Sequence, residues 1–70
     1  MFFVVNMQKL TNTTAQVVNR CNTEDDARSN YHSVIASNYT AKEAGNLEGF
    51  AVTLLDQKGR YVDSESSGMD

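Results

Sequence analysis

Within the 70-residue chain, a single stretch has the apolar spacing of an amphipathic helix, which limits how much sheet a helix can cover. Ala27, Tyr31, Val34 and Ile35 occupy the i, i+4, i+7 and i+8 positions of one helical stripe. The stripe predicts a helix from residue 24 to residue 37 or 39, with room for one more turn before Gly45. One such helix shields one face of a small sheet.

The residues before this stripe form a strong helix start. Thr23 can accept a hydrogen bond from a free amide of the first turn, and Glu24, Asp25 and Asp26 favour the positive end of the helix dipole. Consecutive helical positions point about 100° apart, so we interpret the three carboxylates as capping residues rather than a cation site.

Four segments have strand character and lie on both sides of the helix. We predict strands over residues 2–10, 14–20, 47–56 and 60–65, with Gly59 supplying the positive φ of a type I turn with a bulge. The order is ββαββ, an α+β fold in which a four-stranded antiparallel sheet has one helix packed on one face. Residues 1–70 form a single domain, and we expect residues 66–70 to be a frayed tail.

The first and third predicted strands are apolar on both faces, although one helix covers only one side. We expect Phe50, Val52 and Leu54 to contact the helix. A patch on the opposite face would be a protein interface, and we predict a homodimer or higher symmetric oligomer through this face or an edge strand. The predicted interface residues are Phe2, Val4, Ala51, Thr53 and Leu55.

Size and composition favour self-association over other means of stabilisation. Domains this small are marginally stable and commonly add disulfides, a metal or oligomerisation. The chain has one Cys, Cys21, and one His, so neither an internal disulfide nor a metal site is expected, and no cofactor is implied. A free thiol also suits the reducing cytoplasm.

The charge pattern argues against two classes of partner. The net charge is −3 and the six Lys and Arg residues are scattered, whereas nucleic-acid binders present a basic face. The aromatic residues fall on predicted core positions, which does not favour stacking of single-stranded bases. The apolar start, residues 1–5, is too short to cross a membrane, so we expect a cytoplasmic protein that binds neither nucleic acid nor membrane.

Three residues could contribute to a ligand site. His32, the only imidazole, lies beside Tyr31 at the border of the apolar stripe, and Arg60 lies beyond the predicted turn. A pocket for an anionic, nucleotide-like ligand could lie at a subunit interface, either near the helix N-terminus or lined by these three side chains. The alternative for His32 is a boundary residue packed on the sheet edge, because no nucleophile and orienting acid accompany it and no catalytic residue is predicted.

Two segments carry a resemblance to known proteins. The helix pattern from Glu24-Asp25-Asp26-Ala27 to Ala36-Ser37, followed by residues 50–59, resembles small uncharacterised proteins encoded by phages and prophages of gut bacteria. The resemblance covers most of the chain and implies an accessory phage protein, but no activity or functional residue. We therefore expect a non-enzymatic, homo-oligomeric interaction protein that could bind a host protein; the alternative is the small-ligand binder.

Overall fold

Helix α1 begins at the predicted cap and includes the additional turn that the sequence left open. In the computed structural model, which describes residues 1–69, the amide of Asp26 donates to Thr23 Oγ1 at 3.1 Å and α1 spans Glu24–Glu43. Ala41 packs against the core, which explains the extra turn. Ala44 caps the helix, and Gly45 follows with a φ of +82°, which lets the amide of Asn46 donate to the Ala41 carbonyl at 2.8 Å.

The strands confirm the predicted ββαββ order and α+β class. Within the described residues they form one antiparallel sheet in the order β2-β1-β3-β4, with α1 connecting β2 to β3. The two central strands are therefore β1 and β3, and β2 and β4 are the edges. The strand bounds are Phe2–Lys9 for β1, Thr14–Cys21 for β2, Gly49–Leu55 for β3 and Tyr61–Ser67 for β4.

The turn between β3 and β4 forms around Asp56, as its sequence indicates. The Asp56 carboxylate accepts from the amides of Lys58 and Arg60 at 2.8 and 2.9 Å. Gly59 has a φ of +79° and its amide donates to the Asp56 carbonyl. The hydrogen bond from the Arg60 amide lowers the pKa of Asp56. The hydrogen bonds from the Lys58 amide and from the Arg60 side chain act in the same direction.

The prediction of a frayed tail is wrong for Ser66 and Ser67. Ser66 pairs with Ala51 and Ser67 with Phe50, so β4 continues to Ser67. Backbone pairing to β3 holds these serines although their side chains are polar. Asp70 lies outside the described residues.

The core lies between α1 and one face of the sheet, and it corrects part of the predicted interface. Phe50, Val52 and Leu54 are fully buried there with Tyr31 and Ile35, as expected. Two residues predicted for the opposite face lie on this side: Val4 is fully buried in the same core, and Phe2 packs against it.

The alternation of side chains along β1 explains why Phe2 and Val4 lie on the helix side. Val4 pairs with Leu54 and Asn6 with Val52, so the side chains of Phe2, Val4, Asn6 and Gln8 point toward α1. Asn6 and Gln8 can lie beneath the helix because Asn38, which is 2% exposed, forms a hydrogen bond with each of them.

Candidate interaction face

The side of the sheet away from α1 is covered by no other element of residues 1–69. Its side chains follow from the strand registers, because directly paired residues point to the same face. Ala51, Thr53 and Leu55 lie on this side, as predicted, beside Phe3 and Val5 of β1. We call this surface the open face; its residues are Phe3, Val5, Met7, Lys9, Thr14, Gln16, Val18, Arg20, Ala51, Thr53, Leu55, Tyr61, Ser64 and Ser66.

Apolar side chains occupy the centre of the open face and mostly polar ones its borders. Phe3 pairs with Leu55, and Val5 lies between Val18 and Thr53, so these side chains shield one another and are half-buried in the single chain, apart from Val18, which is 48% exposed. The borders carry Gln and Thr on β2 and serines on β4. An apolar centre with a polar rim is the usual composition of a protein interface.

Charge is divided between the two sides of the sheet. The two charged residues of the open face are the cations Lys9 and Arg20, which lie near opposite ends of β1. Among residues 1–69, no acidic side chain belongs to this face. The carboxylates of Asp63 and Glu65 lie on the helix side of β4, because they pair with buried Leu54 and Val52.

These two carboxylates lie beside tyrosines of α1. Burial raises the pKa of Tyr31 to about 12, and the negative charges of Asp63 and Glu65 act in the same direction. A hydrogen bond to Glu65 raises the pKa of Tyr39, whose ring packs edge-on against Phe50 at 4.9 Å. Both phenols therefore remain protonated at neutral pH and offer no charged site. Their contacts with Asp63 and Glu65 connect the helix to edge strand β4.

The structure does not assemble the predicted ligand residues into one site. Tyr31 is 3% exposed and belongs to the core, whereas His32 is exposed with its ring 5.4 Å from that of Tyr31. The Arg60 guanidinium binds the Asp56 carboxylate at 3.0 Å. Within the described part of the chain, no hydrogen bond, ion pair or ring contact joins Arg60 to His32 or Tyr31.

The remaining candidate groups also have structural surroundings. Cys21 is half-buried and packs against the core opposite Phe2. A shallow hollow of about 540 Å³ lies along the outer side of α1 between Ser33 and Asn46, lined by small side chains. In residues 1–69, no three His, Cys, Asp or Glu side chains converge as metal ligands, and α1 lacks the apolar length required to cross a membrane.

The sequence did not predict the apolar residues that β1 and β2 contribute to the open face, which are Phe3, Val5, Met7 and Val18. A signal for them was present in α1, because Asn38 continues the apolar stripe by one turn. A buried amide in that position needs polar partners on the sheet, and Asn6 supplies one of them. That requirement turns the row of Asn6 toward the helix and the alternate row outward.

Comparison of the chain with protein-family models, curated proteins and solved structures finds no match.

Proposed function

We propose that this protein is a non-enzymatic interaction protein that self-associates by covering the open face with the open face of a second copy. The observation that supports this most strongly is the uncharged apolar centre formed by Phe3, Val5 and Leu55 on a face that no other element covers. Burying such a surface is favourable by about 25 cal/mol per Å² of apolar area. A chain of 70 residues has little other means of adding stability.

The charges of the face permit a symmetric pair. Both charges of the face are cations, so a second copy brings only like charges to the contact, which is unfavourable when the charges are central. Here Lys9 and Arg20 lie near opposite ends of the face, and both can remain in water while the uncharged centres meet. The carboxylates of β4 point the other way and do not enter the contact.

The size of the face also suits a second copy. Four strands about 4.8 Å apart and seven residues long, rising about 3.3 Å per residue, present roughly 440 Å² of projected area. Two such faces give roughly 900 Å², which is below the roughly 1,200 Å² at which the areas of standard-size stable interfaces begin. This size corresponds to a dimer that dissociates on dilution.

Resemblance to phage-encoded proteins adds an accessory role to the proposal, with a host protein as the partner of the oligomer. This part rests on the resemblance alone. Within the proposal, self-association does not depend on the host partner and can be tested first.

Light scattering of the purified chain after gel filtration tests the proposed contact. We expect a mass of at least twice 7.8 kDa at high micromolar concentration, falling on dilution. Met7→Lys places a cation near the uncharged centre of the face and should weaken this contact. Tyr61→Lys changes a side chain that is 82% exposed, so it should weaken the contact without unfolding the chain.

Ser37→Lys on the exposed outer side of α1 is the matched control and should leave the mass unchanged. A wild-type mass of 7.8 kDa at all concentrations would refute the proposal. So would folded Met7→Lys and Tyr61→Lys variants that associate as strongly as the wild type.

A further inference from the structure

The two edges of the sheet differ in how well they are protected from pairing with another strand. An exposed edge offers unpaired backbone amides and carbonyls, and proteins block such edges with bulges, charges or proline. Edge strand β4 has a register shift between Leu54 and Leu55 of its partner and carries the exposed charges Asp63 and Glu65. These features disfavour the addition of a strand at β4.

Edge strand β2 has no bulge and no proline, and it carries a single charge. Its eight residues pair with β1 in unbroken register from Cys21 to Thr14, and it contains no proline. Arg20 is its only charged residue. At its centre, Val17 and Val18 are 52% and 48% exposed and point to opposite faces. A regular, mostly uncharged strand with exposed valines is suited to strand pairing.

We propose that β2 of one copy pairs antiparallel with β2 of a second copy, with the twofold axis at Val17. A twofold axis perpendicular to the sheet keeps both helices on the same side and opposes each residue to one of equal parity. Val17 then faces Val17 of the second copy, and the result is a continuous eight-stranded sheet.

The side chains of β2 fit this register. Arg20 lies across from Thr14 of the other copy, so the one charge of the strand meets no like charge. Gln16 lies across from Val18, and Ala15 across from Asn19, whose amide already donates to Asn30 of its own helix at 3.2 Å. The exposed part of Val17 is buried against its own symmetry mate.

This edge contact is separate from the face contact of the proposed function. Val17 lies on the helix side of the sheet, because it pairs with Asn6, and therefore takes no part in the open face. Either contact can form without the other, and both together give a tetramer with two kinds of twofold interface.

Charge substitution at Val17 tests the proposed axis. Val17→Lys opposes two cations and Val17→Glu opposes two anions, so each variant alone should dissociate about tenfold more readily than the wild type. An equimolar mixture should recover association, because Lys then faces Glu across the axis. Ser37→Lys, on the exposed outer side of α1 and away from both contacts, is the control; mixing it with Val17→Glu should restore less association than mixing the two Val17 variants, because no Lys then faces Glu across the axis.

Cross-linking supplies a second readout that does not depend on affinity. In a Cys21→Ser background, Val17→Cys should oxidise to a disulfide-linked dimer faster than Ser33→Cys or Ser37→Cys, which lie on the exposed side of α1 and outside both contacts. Equal rates at all three positions, or no recovery on mixing the charge variants, would overturn the edge contact. If Met7→Lys dissociates the protein while both Val17 variants associate normally, the face contact stands and the edge contact is refuted; the reverse pattern refutes the face contact alone.

Discussion

Asn38 Nδ2 donates a hydrogen bond to Asn6 Oδ1 at 2.9 Å beneath the helix. The Oδ1 atom of the same Asn38 side chain accepts from Gln8 Nε2 at 2.8 Å. Asn38 is 2% exposed, so neither bond can be replaced by bulk water without moving the helix. These two hydrogen bonds therefore hold the face of β1 that carries Asn6 and Gln8 against the helix and leave its other face open.

Replacing Asn38 by Ala should lower the free energy of unfolding by about 2–3 kcal/mol, because Asn6 and Gln8 lose buried partners. Urea unfolding followed by circular dichroism measures the change. Asn30→Ala, which removes a bond between partly buried side chains, should cost about 1 kcal/mol or less. Equal losses in the two variants would show that the buried network has no special weight.

A variant with leucine at all three positions separates hydrogen bonding from packing. Removing every polar partner of the network leaves no unsatisfied group, so the combined Asn6→Leu, Gln8→Leu and Asn38→Leu chain should regain most of the loss. A triple variant less stable than Asn38→Ala would indicate that the three amides contribute more than mutual satisfaction.

The order of strands and helix follows from the sequence because each signal is local. Thr23 caps the helix through its own first turn, and Asp56 and Gly59 form the turn within four residues. The face of β1 is not a local property. Its two rows begin equally apolar at Phe2 and Phe3, and a contact between Asn6 and Asn38, 32 positions apart, decides between them. Assigning Phe2 and Val4 to the open face therefore exchanged the buried and open rows of β1.

Raising the pH above 10 should destabilise the protein through Tyr31. Burial raises the pKa of Tyr31 from 10.0 to about 12, so the folded state holds this proton more tightly than the unfolded state. The resulting stabilisation is fully present below pH 10 and is lost as the pH rises toward 12. Urea unfolding across this range measures the loss.

Tyr31→Phe should remove that part of the pH dependence, whereas Tyr61→Phe, at an exposed position, should keep it. Asp63→Asn removes one negative charge beside the phenol, so the pKa of Tyr31 should be raised less. The loss of stability at alkaline pH should then be smaller than in the wild type. A wild-type profile that is flat from pH 10 to 12 would contradict the burial of Tyr31.

The turn at Asp56 should respond to acid in the opposite sense. Hydrogen bonds from Arg60 and Lys58 lower the pKa of Asp56 below 3.8, so its stabilisation is present above that pH and is lost as the pH falls through the lowered value. Asp56→Ala should lower Tm at neutral pH and flatten the acid dependence. Thermal melts at pH 7 and in acid check both effects, and an unchanged Tm would show that the turn forms without the carboxylate.

Association should also appear in the thermal stability. If only folded chains associate, Tm rises with protein concentration by mass action, by about 3 °C or more for each tenfold increase. Met7→Lys should reduce this dependence, while Ser37→Lys should retain it. A wild-type Tm that is independent of concentration would indicate that the folded chain remains alone.

Nuclear Overhauser effects between copies test most directly whether a second copy covers the open face. They are measured in an equal mixture of isotope-labelled and unlabelled protein. We expect intermolecular signals from the methyl groups of Val5 and Leu55, and none from Val34 of α1, which packs against the core. Signals absent from Val5 and Leu55 at high micromolar concentration, where the chain is folded, would contradict it.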